Sequence, residues 1–278
     1  MQIKDILKKG VEILKENNIE QNNLKAKMLL SSILNKSKEY LIIYSDEEIS
    51  KELEKDFFDK IEILKENTPI QYILNKQEFM GLEFYVDESV LIPQPDTEIL
   101  AEEVIEIIRK RKLSKVLDLC TGSGAIAVSV AKFLENVKVY ASDISNEAIK
   151  IARRNSNKNN VKIEFIHSDL FEEFSGEDKF DIIVSNPPYI KTDIIGTLSQ
   201  EVQKEPLLAL DGGIDGLDFY KKIIKQAKEY LNTNGFLALE IGYDQKEEVE
   251  NILGKNGYKN IYSKKDLEGH NRIIIAHI

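Results

Sequence analysis

The sequence predicts an α/β fold, in which a mostly parallel sheet covered by helices on both faces is joined to a small helical bundle. From residue 115 onward, short β-branched runs alternate with helical patterns, which is typical of parallel strands connected by helices. Two strand patterns with no helix between them, at about 258–263 and 272–278, predict an antiparallel hairpin that finishes the sheet. Residues 1–74 show apolar residues at helical spacing and predict the bundle.

Three helices are predicted in this amino-terminal bundle. Apolar residues recur at helical spacing over 3–14 and again over 24–34. Asp46 is the candidate N-cap of a third helix, which carries apolar residues over 49–64 and ends at Asn67-Thr68-Pro69. These apolar stripes are most simply the core of the bundle, so we assign no chemistry to them.

The pattern changes after the bundle. Residues 77–95 predict a β-hairpin that turns near Gly81, and Asp96 is the candidate cap of a helix over 97–109.

In the part of the chain where strands and helices alternate, a long loop over 190–215 contains Asp211-Gly212-Gly213, which suggests mobility. The predicted strands are 115–119, 138–142, 161–167, 180–185 and 236–241, and the predicted helices are 124–134, 145–155, 217–231 and 245–253. We therefore predict a helical domain over 1–76, a hairpin linker over 77–95 and a second domain over 96–278.

Composition narrows the class of protein and of partner. The 278 residues are 42% hydrophobic and 31% charged, which is ordinary for a globular protein. The formal charge of −10 is spread along the chain, since residues 1–95 carry 13 basic and 18 acidic side chains and residues 96–278 carry 25 and 30. Because neither part has a basic surplus with which to neutralise phosphates, a nucleic-acid substrate is disfavoured.

Cysteine usage and the absence of an apolar segment indicate the compartment. Cys120 is the single cysteine, so no internal disulfide can form, and this usage is typical of a reducing compartment. The first residues contain no apolar signal segment, and no uncharged stretch approaches membrane-spanning length. We expect a cytoplasmic protein that has no membrane partner.

The most informative motif is Asn186-Pro187-Pro188-Tyr189, which directly follows the buried-strand pattern of residues 180–185. It therefore lies at the carboxyl end of a strand, where open α/β sheets bind ligands. We interpret the motif as a catalytic site for a planar –NH2 group. The Asn186 side-chain oxygen and the Pro187 carbonyl would accept its two hydrogens, Pro188 would restrict the backbone, and Tyr189 would stack on its face. The alternative is a turn in which Asn186 caps the next segment.

A second motif, Cys120-Thr121-Gly122-Ser123-Gly124, joins the first predicted strand of the sheet to its helix. Two glycines separated by one residue let the backbone turn sharply and approach a ligand closely. About twenty residues later the next strand ends at Asp143, whose carboxylate can hold both hydroxyls of a ribose. This order of elements, in which a strand, a glycine loop and a helix are followed by a second strand that ends in an acidic residue, predicts a nucleoside cofactor.

Two features favour S-adenosylmethionine over a dinucleotide. No glycine follows Gly124 in the helix, whereas the dinucleotide fingerprint requires a third one there. Asp118, near the end of the first strand, would repel a pyrophosphate and attract a cation, and S-adenosylmethionine carries two cationic groups and no phosphate. Farther along, Asp169 is a candidate acceptor for the adenine amino group and Leu170 a candidate surface for the ring. The alternative there is a helix N-cap followed by core residues.

The remaining reactive side chains indicate no second site. Cys120 has no histidine or base close in sequence and is more simply a small packed residue than a nucleophile. His167, His270 and His277 show no ligand spacing, so no metal is predicted.

Several motifs together identify a family that the chain resembles. They are residues 69–73, 91–98, 120–124, 186–189, 205–206, 209–213, 215–217 and 266–272. Through them the chain resembles the bacterial release-factor glutamine methyltransferases, the PrmC/HemK family, over nearly its whole length. Two positions depart from the family pattern: Gln94 stands where arginine is usual, and Cys120 stands in place of the first loop glycine.

The resemblance implies a Rossmann-like class I S-adenosylmethionine-dependent methyltransferase sheet and a specific reaction. The reaction is methylation of the side-chain amide nitrogen (N5) of the glutamine in the Gly-Gly-Gln motif of class I peptide chain release factors, which the helical domain would help to bind. A glutamine methyltransferase of a ribosomal protein would use the same chemistry. An adenine-N6 DNA methyltransferase is disfavoured by the acidic charge, and a non-catalytic scaffold by the intact Asn-Pro-Pro-Tyr motif.

Overall fold

A computed structural model describes all 278 residues, which form two compact units. The first unit comprises Met1–Lys76 together with Ser199–Lys204, and the second comprises Gln77–Leu198 and Glu205–Ile278. None of the helices combines the length and the apolar character that crossing a membrane requires.

The first unit is a bundle of five helices. They are α1 (Ile3–Glu16), α2 (Asn22–Leu34), α3 (Lys38–Ile43), α4 (Lys51–Lys65) and α5 (Ile70–Leu74). The short α3 and α5 were not predicted, since neither is long enough to show a helical period. The predicted cap of α4 was wrong: the helix begins after Ser50, whose hydroxyl accepts the Leu53 N–H at 3.3 Å, and not after Asp46.

Residues 199–204 belong to this bundle although they are distant from it in sequence. The Lys25 ammonium, which is buried in α2, forms an ion pair with Glu201. The Asn67 side-chain amide donates to the Gln200 side-chain oxygen at 2.6 Å. The middle of the predicted loop over 190–215 is therefore held by side-chain contacts within the first unit.

The second unit contains nine strands and six helices. The strands are β1 (Gln77–Phe79), β2 (Leu82–Phe84), β3 (Lys115–Leu119), β4 (Lys138–Asp143), β5 (Glu164–His167), β6 (Phe180–Ser185), β7 (Leu231–Glu240), β8 (Lys259–Lys265) and β9 (Asn271–His277). The helices are α6 (Pro95–Arg111), α7 (Ala125–Phe133), α8 (Asn146–Lys158), α9 (Leu207–Leu210), α10 (Asp218–Tyr230) and α11 (Lys246–Lys255).

Seven of these strands form one sheet in the order β5-β4-β3-β6-β7-β9-β8. The first five strands are parallel, and β9 is antiparallel to both β7 and β8. This confirms the predicted α/β class and the antiparallel hairpin at the carboxyl end. The strand order reverses at β3 and β6, so their carboxyl ends, Leu119 and Ser185, lie side by side at the point where such sheets bind ligands.

The hairpin that we predict as a linker turns through Met80 and Gly81, which both have positive φ, 53° and 69°. Its contacts place it in the second unit, where Phe79 and Phe84 are fully buried with residues of α6 and α7. Its interpretation as a linker stays a prediction. The predicted cap of the next helix was wrong, since Gln94 occupies the N-cap position and α6 starts at Pro95, a residue whose fixed φ suits the first turn. Asp96 lies within that first turn.

Candidate active site

A cavity of about 230 Å³ lies at the carboxyl ends of β3, β4, β5 and β6. Most of the residues that we predicted for a site line it: Cys120, Thr121, Gly122, Ser123, Asp143, Asp169, Leu170, Asn186 and Pro188. Gly124, Pro187 and Tyr189 do not line it. The tertiary structure therefore brings the loops after four separate strands to one cavity, as expected at a topological switch point.

The two glycines of the loop after β3 have different tasks. Gly122 has φ +54°, and a Cβ placed on it would meet no atom within 4 Å, so the loop leaves open space on the cavity side. Gly124 has φ +82° and caps α7, where a Cβ would approach the Cβ of Ala152 to 3.1 Å. Gly124 thus allows α7 and α8 to pack closely and does not contact the cavity.

Cys120 adopts a left-handed conformation with φ 56°, which is uncommon for a residue with a side chain. The side chain is half-buried and packs against the core between the sheet and α10. Burial and the nearby Asp143 carboxylate raise the pKa of the thiol, so it stays protonated. This environment suits a packed thiol and not a nucleophile.

Asp143 is tied into the glycine loop. Its Oδ2 accepts the Gly122 N–H at 2.9 Å and its Oδ1 accepts the Ser145 N–H at 2.9 Å. Burial raises the pKa of this carboxyl above its usual value, although both backbone hydrogen bonds favour the charged form. Each oxygen keeps a further lone pair for a ligand.

Asp169 and Leu170 reach the same cavity wall because the Ser168 N–H donates to the Asp143 carbonyl at 2.9 Å. No helix begins at Asp169, so the alternative of a helix N-cap is not what the structure shows. The Ser168 hydroxyl, and not Asp169, accepts the nearby Glu173 N–H at 3.1 Å.

The Asp118 carboxylate, which we expected to attract a cation in the cavity, lies behind the loop. It is 1% exposed and does not line the cavity. Its Oδ2 accepts the Thr121 hydroxyl at 2.6 Å and the Ala127 N–H at 3.2 Å, so it holds the loop onto the start of α7. Burial raises its pKa to about 7, which removes part of the negative charge that the sequence argument assigned to it.

Asn186 is half-buried at the cavity with a defined orientation. Its Nδ2 donates to the Thr97 hydroxyl oxygen at 3.1 Å. Because Nδ2 is engaged by Thr97, the amide presents Oδ1, an acceptor, to other partners. That is the polarity required to bind an –NH2 group.

The hydroxyl and the backbone carbonyl of Tyr189 are both engaged in hydrogen bonds. Its hydroxyl donates to Glu240 Oε1 at 3.2 Å, and its backbone carbonyl accepts the Gln245 side-chain N–H at 2.9 Å. Burial and the charge of Glu240 raise the pKa of the phenol, so Tyr189 remains neutral. Stacking by its ring stays a prediction.

Sequence reasoning missed several polar residues that hold these loops. Asn155, in α8, is fully buried and donates to the carbonyls of Tyr85 and Ser123, both at 2.9 Å, while its Oδ1 accepts the Tyr85 N–H at 2.7 Å. One side chain thus fixes the glycine loop to the segment after the hairpin. The available signal was weak: an asparagine on the otherwise apolar face of a helix.

Gly212 was interpreted as a sign of mobility, and the structure gives another reason for it. A Cβ at this position would lie 2.7 Å from the Tyr189 Cα and 2.9 Å from the Pro188 carbonyl oxygen. The Gly212 N–H donates to the Ile190 carbonyl at 2.8 Å, and the Ile190 N–H donates to Leu210 at 3.0 Å. Glycine is therefore required because this segment packs directly on the backbone of the Asn-Pro-Pro-Tyr motif.

No group of three or more His, Cys, Asp or Glu side chains is arranged to hold a metal ion. One further buried carboxyl group, that of Glu205, is hydrogen-bonded to a loop beside the cavity. The Glu205 carboxylate accepts the Ile92 N–H at 2.9 Å, and burial raises its pKa to about 7. Gln94, at the family's arginine position, lines the cavity and donates to the Ile92 carbonyl at 2.9 Å.

Solved structures that resemble this one share its fold. A T. Thermophilus 16S rRNA methyltransferase in complex with AdoMet and guanosine superposes with a TM-score of 0.53, at 21% identity, over 73% of this chain and 49% of that chain. A ribosomal protein L11 methylase from Lactobacillus delbrueckii subsp. bulgaricus gives a TM-score of 0.50, at 24% identity, over 69% of this chain and 82% of that chain.

Comparison of sequences identifies the family, whereas the solved structures above show only the fold. The PrmC N-terminal domain family matches residues 5–74, and the methyltransferase small domain family matches residues 95–204. A release factor glutamine methyltransferase of Clostridium acetobutylicum is 45% identical over 282 aligned residues, covering 99% of this chain and 98% of that protein. A release factor glutamine methyltransferase of Clostridium botulinum is 42% identical over 280 aligned residues, covering 99% of this chain and 99% of that protein. With identity at this level over the full chain, the chain belongs to the release factor glutamine methyltransferases.

Proposed function

We propose that this protein transfers a methyl group from S-adenosylmethionine to the side-chain amide nitrogen of the glutamine in the Gly-Gly-Gln motif of class I peptide chain release factors. The observation that carries the proposal is the orientation of Asn186, which gives its nitrogen to Thr97 and keeps its oxygen for another donor. An acceptor oxygen at this point suits a primary amide, and the names of the full-length relatives supply the substrate class.

The cavity residues fit S-adenosylmethionine. Gly122 leaves open space beside the loop, and Asp143 offers remaining lone pairs to ribose hydroxyls. Leu170 and Ile144 offer apolar surface to the adenine, and Asp169 offers an acceptor to its amino group. When bound, the cofactor supplies an electrophilic methyl carbon attached to a sulfonium.

The chain's own residues would prepare the acceptor. An amide nitrogen is a poor nucleophile because its lone pair is delocalised onto the carbonyl. Hydrogen bonds from its two N–H groups to the Asn186 Oδ1 and the Pro187 carbonyl would orient the nitrogen and favour the positive charge that develops on it. Transfer would form the new N–C bond as the donor's S–C bond breaks and its sulfur leaves as a neutral thioether. The methylated nitrogen would then lose one N–H proton to solvent, so no strong base is needed. Fixing the reactants in line can lower the barrier by about 7–11 kcal/mol.

The same proposal assigns a role to each domain and a cellular compartment to the protein. The helical unit of residues 1–76 would help to bind the release factor, and residues 77–95 would link it to the methyltransferase domain of residues 96–278. A single cysteine, which can form no internal disulfide, supports a cytoplasmic location.

The test is to offer a radiolabelled methyl donor in parallel to a release factor, a ribosomal protein and DNA. We expect label on the release factor only, and on its Gly-Gly-Gln glutamine by mass spectrometry. Label on the ribosomal protein or on DNA alone would refute the proposed substrate. Asn186→Ala should lower the rate by about 100-fold or more, as when an oriented polar group at a reacting centre is removed. Binding of S-adenosylhomocysteine by calorimetry should remain measurable, and an unchanged rate would remove Asn186 from the mechanism.

A further inference from the structure

We propose that Arg272, acting through the first turn of α6, positions the Asn186 carboxamide for the reaction proposed above, on which this inference rests. Arg272 lies in β9, and the turn that it holds contains Asp96 and Thr97. The proposed mechanism gives no role to Asp96 or Arg272, although each lies in a sequence motif shared with the family. Arg272, Asp96 and Thr97 are thus positioning residues, which act on the acceptor through Asn186.

The sheet brings Arg272 to the edge at which Asn186 lies. Ser185, at the end of β6, pairs with Leu239 in β7, and Leu239 pairs with Ile274 in β9. Because β9 runs antiparallel to β7, Arg272 lies beyond Ile274 toward the carboxyl edge of the sheet. At the same edge, β6 continues into Asn186.

The turn between β8 and β9 fixes the Arg272 side chain. Asp266 Oδ1 accepts the N–H groups of Glu268 and His270, at 2.9 and 2.8 Å. Its Oδ2 accepts the Arg272 Nε–H at 2.8 Å, and the Asp266 side chain is only 6% exposed. The Arg272 carbonyl accepts the Ile241 N–H at 2.8 Å, so the main chain is held independently of the side chain. The guanidinium therefore has a defined place at the edge of the sheet.

Three consecutive residues in the first turn of α6 contact three different elements. Asp96 Oδ2 forms an ion pair with Arg272 Nε at 3.0 Å. Thr97 Oγ1 accepts a hydrogen bond from Asn186 Nδ2 at 3.1 Å. Glu98 Oε1 accepts a backbone N–H in the turn of the β1–β2 hairpin at 2.6 Å. Successive residues of a helix point about 100° apart, so one turn can contact all three elements at once.

The first turn of a helix depends on such side-chain contacts for its position. Its N–H groups have no partner within the helix, so its own hydrogen bonds hold it less firmly than the middle. Asp96 and Thr97 are adjacent on this turn, and a shift of Asp96 away from Arg272 therefore moves the Thr97 hydroxyl. Thr97 is 5% exposed, so water does not replace its hydroxyl as the partner of Asn186.

Stability does not account for the ion pair between Asp96 and Arg272. Their side chains are 38% and 20% exposed, and ion pairs that water reaches contribute about 0–1 kcal/mol. The Arg272 cation also lies at the amino end of α6, where the helix dipole disfavours positive charge. Two carboxylates, those of Asp96 and Asp266, share this one cation, so its removal would leave them to repel each other and push the turn away from the hairpin.

The experiment compares Arg272→Met, Arg272→Lys, Asp96→Ala and the double variant Arg272→Met/Asp96→Ala, with Lys138→Met as the control. Lys138 forms an ion pair with Glu164 at 2.8 Å between the amino ends of β4 and β5, at the opposite edge of the sheet from the cavity. The single-turnover rate of methyl transfer to a release factor is measured at saturating S-adenosylmethionine and release factor.

We expect Arg272→Met and Asp96→Ala each to lose about 10-fold in rate, since a misplacement of about 1 Å at a reacting group costs up to about 100-fold. Arg272→Lys, which restores a cation, should recover most of the rate. The double variant should be no slower than Arg272→Met, because removing Asp96 also removes its repulsion by Asp266. Lys138→Met should keep the wild-type rate.

A second comparison tests whether Arg272 acts through Thr97. In Thr97→Val, which lacks the hydroxyl, adding Arg272→Met should cost no more than about twofold, because the contact to Asn186 is already lost. The side-chain amide signals of Asn186 in ¹H–¹⁵N spectra are identified by their loss in Asn186→Ala. They should shift in Arg272→Met and in Asp96→Ala but not in Lys138→Met.

The melting temperature and the affinity for S-adenosylhomocysteine separate positioning from folding, and both should stay close to wild type in every variant. Should Arg272→Met fail to fold, Asp96→Ala tests the same ion pair from the helix, where alanine is favoured. Wild-type rates in Arg272→Met and Asp96→Ala, an undiminished loss in the Thr97→Val background, or unmoved Asn186 signals would overturn the inference. A wild-type enzyme that methylates no glutamine would refute the proposed function alone, since the spectra still report on the contacts.

Discussion

The packing of Gly212 against the Asn-Pro-Pro-Tyr motif leads to a prediction with a defined size. Replacing Gly212 by alanine adds one carbon that would lie 2.7 Å from the Tyr189 Cα and 2.8 Å from its carbonyl carbon. Ordinary contacts of a Cβ begin at 3.4 Å, so the backbone of the motif must move by roughly 0.7 Å. The backbone at Gly212 does not have positive φ, so alanine adds a steric effect only.

The magnitude follows from what this shift does. Overpacking of a tight contact costs about 1–3 kcal/mol of stability. A displacement approaching 1 Å at a reacting group costs up to about 100-fold in rate. We therefore expect Gly212→Ala to remain folded and to methylate about 10–100-fold more slowly. The affinity for S-adenosylhomocysteine should change little, because the loop of residues 120–124 is not displaced.

The assay is single-turnover transfer of a labelled methyl group to a release factor, with thermal melting in parallel. Gly176→Ala is a matched control, since a Cβ at Gly176 would meet no atom within 4 Å and its backbone does not have positive φ. The control should keep the wild-type rate. If Gly212→Ala also keeps the wild-type rate and melting temperature, close packing of this segment does not hold the motif in place.

Three other changes test the cavity and its supports. Asp143→Ala should weaken S-adenosylhomocysteine binding by at least about 10-fold in calorimetry, because a charged hydrogen bond is worth about 1.5–3 kcal/mol, and unchanged affinity would refute the ribose assignment. Glu205 has a pKa of about 7 when folded and a usual value of 4.5, so the folded state binds the proton more tightly and stability falls as pH rises between these values. Glu205→Gln should therefore raise the free energy of unfolding at pH 8 by up to about 3 kcal/mol, with a higher melting temperature, and should give no gain below pH 4.5. A gain of equal size at both pH values would contradict the titration. Cys120→Gly should raise stability by about 1 kcal/mol in chemical denaturation because φ is 56° there, and a loss would show that packing of the thiol outweighs the backbone strain.

Local signals in the sequence determined the fold class and the cavity. The strands from β3 to β7 carry β-branched runs separated by helical patterns, and this alternation permits only a mostly parallel sheet. Because parallel strands end at one edge, the motifs after β3, β4, β5 and β6 had to meet there. The same reasoning gave the wrong caps for α4 and α6, since several polar residues precede each helix and sequence spacing alone does not select among them.

Only the tertiary structure decided the state of individual side chains. Asp118 and Asp143 both lie at or near the end of a strand, yet Asp118 is buried behind the loop and Asp143 lines the cavity. Thr97, Asn155 and Glu240 carry no local signal that connects them to their partners Asn186, the glycine loop and Tyr189, from which they are distant in sequence. The physical reason is that periodicity reports which face of an element is apolar, whereas hydrogen-bond partners, pKa shifts and the fit of a single methyl group depend on atoms that the fold brings from elsewhere in the chain.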